Sequence, residues 1–140
     1  MSAVFPVQAS SLRVGGYIVI DDGPCKIIKM AIHKTGKHGH CKIHFIATNI
    51  FTSKKIDLIE TSTHNVDSCD VDRRDYQLVN IDDDYLSFMN EQGEMKEDIR
   101  MPLSEELRNG IQDAFDQGKE VTISVLKAMD IEEVVDWKSK

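Results

Sequence analysis

The sequence lacks the features that mark secreted and membrane-spanning proteins. No apolar run approaches the length of a transmembrane helix, so no membrane partner is expected. Residues 1–13, MSAVFPVQASSLR, have no basic segment followed by an apolar one, so no secretory signal is predicted. The three cysteines, Cys25, Cys41 and Cys69, form no CxxC pair. An odd number of dispersed cysteines predicts free thiols in a reducing compartment.

Acidic residues are missing from a long part of the first half. From Gly23 to Ile56 there are seven lysines and no aspartate or glutamate. Residues 1–70 hold 8 Lys+Arg against 6 Asp+Glu, a net charge of +2, and residues 71–140 hold 9 against 18, a net charge of −9. This asymmetry favours two units, a basic one that faces phosphate and an acidic one that limits indiscriminate RNA binding. The alternative is that the acids serve solubility alone.

Short apolar runs separated by turn residues fill the first half. This spacing is typical of the strands of a small β-barrel. The turn Asp21-Asp-Gly-Pro24 separates the first two runs. The predicted strands are Tyr17–Ile20, Cys25–Ile32, Cys41–Ala47 and Lys55–Glu60.

The polar residues 61–75 indicate a domain boundary. They carry little apolar periodicity, and no Gly/Ser-rich tether follows them. We therefore predict a boundary near Asp70, with one domain at residues 1–70 and a closely joined second domain at residues 71–140.

The second half combines strands with one helix. Ser104 followed by two glutamates predicts the helix start, and Gly118 predicts its end. Three strands, a helix and a returning strand match a five-stranded oligonucleotide-binding barrel, the OB fold. The tail from Ile131 to Trp137 fits either a short helix or a final strand. The other predicted strands are Tyr76–Ile81, Tyr85–Met89, Glu94–Met101 and Lys119–Leu126.

The most informative segment is the run from Lys34 to Lys42. It holds three lysines, two histidines and two glycines within nine residues, and no acid. Strand-like runs flank it, so it predicts a hairpin tip, and Gly36 and Gly39 supply the backbone freedom that a tight tip needs. We expect this tip to be exposed, mobile and able to hold Lys37 towards a negative partner such as RNA. A loop that serves only solubility and turn geometry is the alternative.

Other chemistries fit the sequence poorly. The phosphate-binding pattern GxxxxGK[ST] is absent. His38, His40, Cys41 and His44 are ligand types for zinc, but strand alternation turns Cys41 away from His40, so no metal site is predicted. A catalytic Lys37 would need a desolvating pocket, which a hairpin tip does not offer. No paired-carboxylate site is visible either, because the acids are scattered or lie in turns.

Several motifs in one order carry a family resemblance. The chain resembles the eukaryotic translation initiation factor 5A family, which implies an SH3-like barrel followed by an OB-fold barrel, mostly β with one helix. The matching residues are TGKHGHCK at 35–42, IFTSKK at 50–55, STHN at 62–65, DYQLVNI at 75–81 and DDDYLS at 82–87.

The resemblance implies a modification at Lys37. In that family the matching lysine becomes hypusine: deoxyhypusine synthase transfers an aminobutyl group from spermidine, using NAD, and deoxyhypusine hydroxylase adds a hydroxyl group. No bound cofactor is implied. The residues implied for RNA or tRNA binding and for recognition by the synthase are Lys34, Thr35, Gly36, His38, Gly39, His40 and Lys42.

The implied function is in translation. The family binds the ribosome near the exit site and extends hypusine towards the acceptor end of the peptidyl-tRNA, which relieves stalling at consecutive prolines and aids termination. A cytoplasmic location is implied, with a nuclear pool and mRNA binding left open. Cys41 and Cys69 replace a family-typical alanine and proline. The alternative is an RNA chaperone or mRNA-binding module that acts without modification.

Overall fold

A computed structural model describes residues 4–34 and 41–140, and it divides into two compact units, Met1–Val71 and Asp72–Lys140. The described residues are mostly in strands, with one α-helix. The expected mostly-β architecture, an SH3-like barrel followed by an OB fold, is confirmed.

The first unit is built from two antiparallel sheets. A four-stranded sheet has the order β2-β3-β4-β5, and β1 pairs with β6 in a second sheet. Its core is apolar, with Ile18, Ile27, Ile43 and Phe45 all at most 1% exposed. The strands are β1 (Val4–Gln8), β2 (Tyr17–Ile20), β3 (Gly23–Lys34), β4 (Cys41–Asn49), β5 (Lys55–Thr61) and β6 (Asn65–Cys69).

The polar segment that indicated a boundary contains a strand that the sequence analysis did not predict. β6 pairs with β1 over the register Val4↔Cys69 to Gln8↔Asn65. Val66 and Ser68 are buried, and the Ser68 hydroxyl donates to the backbone oxygen of Tyr17 (2.7 Å). A serine satisfied by a backbone carbonyl therefore occupies an inward position where the periodicity argument requires an apolar residue.

The second unit is the five-stranded barrel with its helix between the third and fourth strands. The strand order in its sheet is β11-β10-β7-β8-β9. Phe88, Leu86, Ile111 and Ile123 are fully buried in its core. Its elements are β7 (Asp72–Asp82), β8 (Tyr85–Met89), β9 (Met95–Arg100), α1 (Glu105–Asp116), β10 (Val121–Ala128) and β11 (Ile131–Ser139).

Helix α1 begins and ends where its capping residues predict. The backbone N–H of Leu107 donates to the Ser104 hydroxyl (3.4 Å), and Glu105 and Glu106 lie in the first turn, where the helix dipole favours acids. Gly118 has a φ of +75°, the left-handed conformation that ends many helices.

The undecided tail is a strand. Met129 and Asp130 both have positive φ, 52° and 63°, as in the tight turns that favour two-residue β-hairpins. This turn connects β10 to β11, and the two strands pair antiparallel from Ala128↔Ile131 onward.

An ion pair joins the two edge strands of the second sheet. The Lys96 ammonium on β9 lies 3.4 Å from the Glu132 carboxylate on β11 and 3.1 Å from Asp98. Because β9 and β11 share no ladder, this partly buried pair supplies a polar link between the two edges.

Helix α1 lies against β11 where Gly110 meets Trp137. A Cβ atom added at Gly110 would lie 2.7 Å from Trp137 Cε2 and 2.8 Å from its Nε1. The ring occupies the space that a side chain at position 110 would need, which explains a glycine inside a helix.

We expect Gly110→Ala to lower the free energy of unfolding by about 1–2 kcal/mol, since the cost of overpacking exceeds the gain in helix propensity. Urea denaturation measures the change. Asn109→Ala, at the exposed neighbouring position, is the control and should be neutral or stabilising. Equal stability of the two variants would contradict the close packing of Gly110 on Trp137.

Candidate functional site

The candidate site is the end of the β3–β4 hairpin. The antiparallel register of β3 with β4 ends at the pair Lys34↔Cys41. The chain between these paired positions is residues 35–40, which lie outside the described residues. The predicted site residues among them are Thr35, Gly36, Lys37, His38, Gly39 and His40.

The hairpin is anchored in the core of the first unit. Ile43, Phe45 and Ala47 point inward from β4 and are buried, as the alternation of the sequence predicts. On β3, the backbone oxygen of Ile27 accepts from Gly15 N–H and the N–H of Ile27 donates to the Gly16 oxygen, both at 2.8 Å. A β-bulge follows, because Ile27 pairs with Ala47 and Lys29 with Ile46, which leaves Ile28 without a partner in the ladder.

Beyond the bulge at Ile28, four basic side chains share the outer face of the hairpin. The pairs Lys29↔Ile46, Ala31↔His44 and His33↔Lys42 place Lys29, His33, Lys42 and His44 on the side of the sheet away from the core. We call these four residues the basic face. Lys29, His33 and Lys42 are exposed, and the His44 side chain is 29% exposed.

The lysines of the hairpin end are free to meet an external anion. Within residues 4–34 and 41–140, none of Lys29, Lys34 and Lys42 lies within salt-bridge distance of a carboxylate. His44 Nε2 lies 3.7 Å from Asp57 on β5. The face can therefore bind phosphate through several cations, but it presents no buried charge pair of the kind that supports catalysis.

The described histidine His64 and the three cysteines have structural surroundings rather than those of a reactive site. His64 Nδ1 lies 3.1 Å from Glu60 Oε1, which makes it a hydrogen-bonding surface residue. The three cysteines are free, and burial raises the pKa of the Cys25 and Cys69 thiols, so both stay protonated at neutral pH.

Neither a metal cluster nor a membrane helix is found in the described part of the chain. No three of its His, Cys, Asp and Glu residues are grouped to hold a metal ion. None of its helices is long and apolar enough to cross a membrane. The histidines His38 and His40 lie outside this part.

Family comparisons cover both units. The family described as "Translation initiation factor 5A-like, N-terminal" matches residues 2–64, and "Eukaryotic elongation factor 5A hypusine, DNA-binding OB fold" matches residues 70–138. The chain belongs to the translation initiation factor 5A family. The resemblance carried by its motifs is thereby confirmed, and this is a family of translation factors.

Named members of the translation initiation factor 5A family are similar over nearly the whole chain. Eukaryotic translation initiation factor 5A-1 of Saccharomyces cerevisiae is 45% identical over 137 residues, 98% of this chain and 87% of the relative. Its namesake from Schizosaccharomyces pombe is 48% identical over 128 residues, 91% of this chain and 81% of the relative.

Solved structures agree with the two-unit fold. The chain is 40% identical to a translation initiation factor eif-5a family protein from Naegleria fowleri, with a TM-score of 0.90, covering 96% of this chain and 98% of the other. Eukaryotic translation initiation factor 5A from Methanococcus jannaschii, at 24% identity and a TM-score of 0.69, shares the fold.

The basic face adds residues that the motif argument did not select. Lys29, His33 and His44 lie outside the group of predicted site residues at 34–42, although they are part of the acid-free region. A strand register was needed to place them beside Lys42. Strand alternation along β4 was a usable signal for Lys42 and His44, which alternate with the buried Ile43 and Phe45, whereas the bulge at Ile28 shifts the pattern of β3 before both Lys29 and His33.

We expect the basic face to contribute to RNA affinity through counterion release. The plot of the logarithm of the RNA association constant against the logarithm of the salt concentration has a negative slope. Lys29→Ala and Lys42→Ala should each make this slope less steep by about 0.7, measured with a single-stranded RNA oligonucleotide. Lys119→Ala, which removes an exposed lysine of the second unit, is the control and should leave the slope unchanged. Equal changes in all three variants would mean that RNA does not select this face.

Proposed function

We propose that the protein is a translation elongation factor that binds the ribosome and acts through a hypusine made from Lys37. The modified side chain positions the acceptor end of the peptidyl-tRNA, promotes peptide-bond formation at stalling sequences such as consecutive prolines, and aids termination. The ribosome supplies the reaction, so the protein itself is not an enzyme.

The observation that carries this proposal is family membership over both units, joined to the position of residues 35–40. These residues connect Lys34 and Cys41, the paired ends of a hairpin whose described lysines have no acidic partner. An arm at Lys37 would start from this basic end. Cations around its base favour the approach of the negatively charged ribosomal RNA and tRNA.

The proposed modification extends what a lysine can do. An ordinary lysine carries one charge on a four-carbon stem. Transfer of an aminobutyl group from spermidine by deoxyhypusine synthase lengthens that stem and adds a second amine, and deoxyhypusine hydroxylase adds a hydroxyl. The longer arm can contact the phosphate and ribose groups of the tRNA end. Holding that end in place lowers the entropic part of the barrier to peptide transfer.

The two units take different parts in this proposal. Residues 1–70 carry the modified loop, with Lys34, Thr35, Gly36, His38, Gly39, His40 and Lys42 around Lys37, and meet RNA and the synthase. Residues 71–140, with a net charge of −9, form the OB-fold unit, which contributes little to the attraction of phosphate. The partners are the ribosome, the peptidyl-tRNA and the two modifying enzymes, and the place of action is the cytoplasm.

Peptide mass spectrometry of protein isolated from its own cells tests the modification site. We expect the mass of hypusine on the peptide that contains Lys37, and unmodified masses for Lys34 and Lys42, because Lys37 alone lies between the two loop glycines. An unmodified Lys37 would contradict the proposed function.

A reconstituted translation assay tests the mechanism. A message that encodes consecutive prolines is compared with a proline-free message, since proline is a conformationally restricted partner in peptide transfer. Modified protein should accelerate the first message far more than the second, and Lys37→Arg, which keeps one charge but accepts no aminobutyl group, should accelerate neither. Equal acceleration by unmodified protein would remove the arm from the mechanism and favour the RNA-chaperone function.

A further inference from the structure

The end of the hairpin exposes an isoleucine on the side opposite the basic face. Ile32 pairs with Ile43, and Ile43 pairs with Glu60, so all three side chains lie on the core-facing side of the sheet. Ile43 is 1% exposed, but Ile32 is 65% exposed. The core therefore ends between these two positions, and Ile32 extends beyond it.

Ile32 belongs to a small apolar surface at the root of residues 35–40. Strand alternation places Lys34 and Cys41, the last described pair of the hairpin, on the same side as Ile32. Cys41 is partly buried, and the stem of a lysine is apolar up to its charged end. We call Ile32, Lys34 and Cys41 the distal patch.

The position of Ile32 distinguishes it from an ordinary exposed isoleucine, of which protein surfaces carry several. Two strand steps separate Ile32 from Lys34, a distance of about 7 Å. A protein that encloses the hairpin end beyond the pair Lys34↔Cys41 can extend its rim by that distance and cover Ile32. RNA gains little from an aliphatic side chain, whereas a protein rim gains free energy by covering one.

We propose that the distal patch is a docking contact for the enzyme that modifies Lys37, and that the partner surface there combines an apolar rim with an acidic cleft. The acidic cleft complements the lysines of the hairpin end, and the apolar rim covers Ile32. The two sides of the hairpin thus bind different partners: the basic face binds RNA, and the distal patch binds a protein. This inference rests on the proposed function, because it requires that Lys37 is modified.

The test compares two isoleucines on opposite sides of one sheet. Ile59 on β5 is 62% exposed and pairs with His44 of the basic face, which makes it a matched control for Ile32. Ile32→Thr and Ile59→Thr keep a β-branched side chain suited to a strand while removing apolar surface. Unmodified full-length protein is supplied to the cognate synthase with NAD and labelled spermidine, and initial rates are measured against protein concentration.

Ile32→Thr should raise the KM for the protein substrate about fivefold to tenfold, the size of effect seen when one central apolar contact is lost, with kcat unchanged. Ile59→Thr should leave both constants within about twofold of the wild type. Equal KM values for Ile32→Thr and wild type would overturn the docking contact. Failure of the wild type to accept any aminobutyl group would instead overturn the proposed function, so the two failures are distinguishable.

Two further measurements distinguish the modifying enzyme from two other occupants of the distal patch, the ribosome and a second copy of the chain. Saturating synthase yields fully modified variants, and the ribosome binding of modified Ile32→Thr should equal that of the modified wild type. A loss of ribosome binding without a change in KM would assign the patch to the ribosome and overturn the proposal. Sedimentation at micromolar concentration should show the same mass for both proteins, and a dimer lost only in Ile32→Thr would assign the patch to a second copy.

Discussion

The antiparallel pairing of β3 with β4 is the constraint on which the proposed site depends. These strands run side by side from the core, where Phe45 and Ile27 are buried, to the pair Lys34↔Cys41. Since the ladder fixes Lys34 and Cys41 opposite each other, residues 35–40 begin and end at the same end of the two central strands. One half of the hairpin is buried in the core, and the distal half, with Ile32, Lys34 and Lys42, is exposed.

Charge is unevenly distributed between the two units and, within the first unit, between the two sides of the hairpin. The second unit holds most of the acids, and the acid-free region of the first unit supplies the basic face. Asp57 of β5 lies on the same side as this face, 3.7 Å from His44, whereas Glu60 lies on the opposite side of the sheet and contacts His64. Among the described residues, the two lysines nearest to residues 35–40, Lys34 and Lys42, have no carboxylate within salt-bridge distance, although the whole chain is acidic.

Much of the fold followed from local signals in the sequence. The alternation of Ile43, Phe45 and Ala47 predicted β4, and Ser104 and Gly118 predicted both ends of α1. These signals work because burial and capping act on neighbouring residues. The motif around Lys37 likewise identified the family without a structure.

The rest depended on contacts between distant parts of the chain. Strand β6 was missed because its buried Ser68 is satisfied by Tyr17, a partner far away in sequence. The tail remained undecided because Val134 and Trp137 have helical spacing, and in a strand they share a side only because the register with β10 leaves Val135 unpaired in the ladder. The basic face needed the cross-strand register, which no single strand encodes.

The bulge at Ile28 sets the phase of the whole distal hairpin. Uninterrupted alternation from the inward Ile27 would turn Lys29 and His33 towards the core side and Ile32 to the outer side. One extra residue reverses this arrangement, so that the cations and the apolar side chain change places without any change in their identity. The length of β3 between Ile27 and Lys34, counted in single residues, therefore decides which side of the hairpin is basic. Insertions and deletions in this short stretch are for that reason more consequential than substitutions.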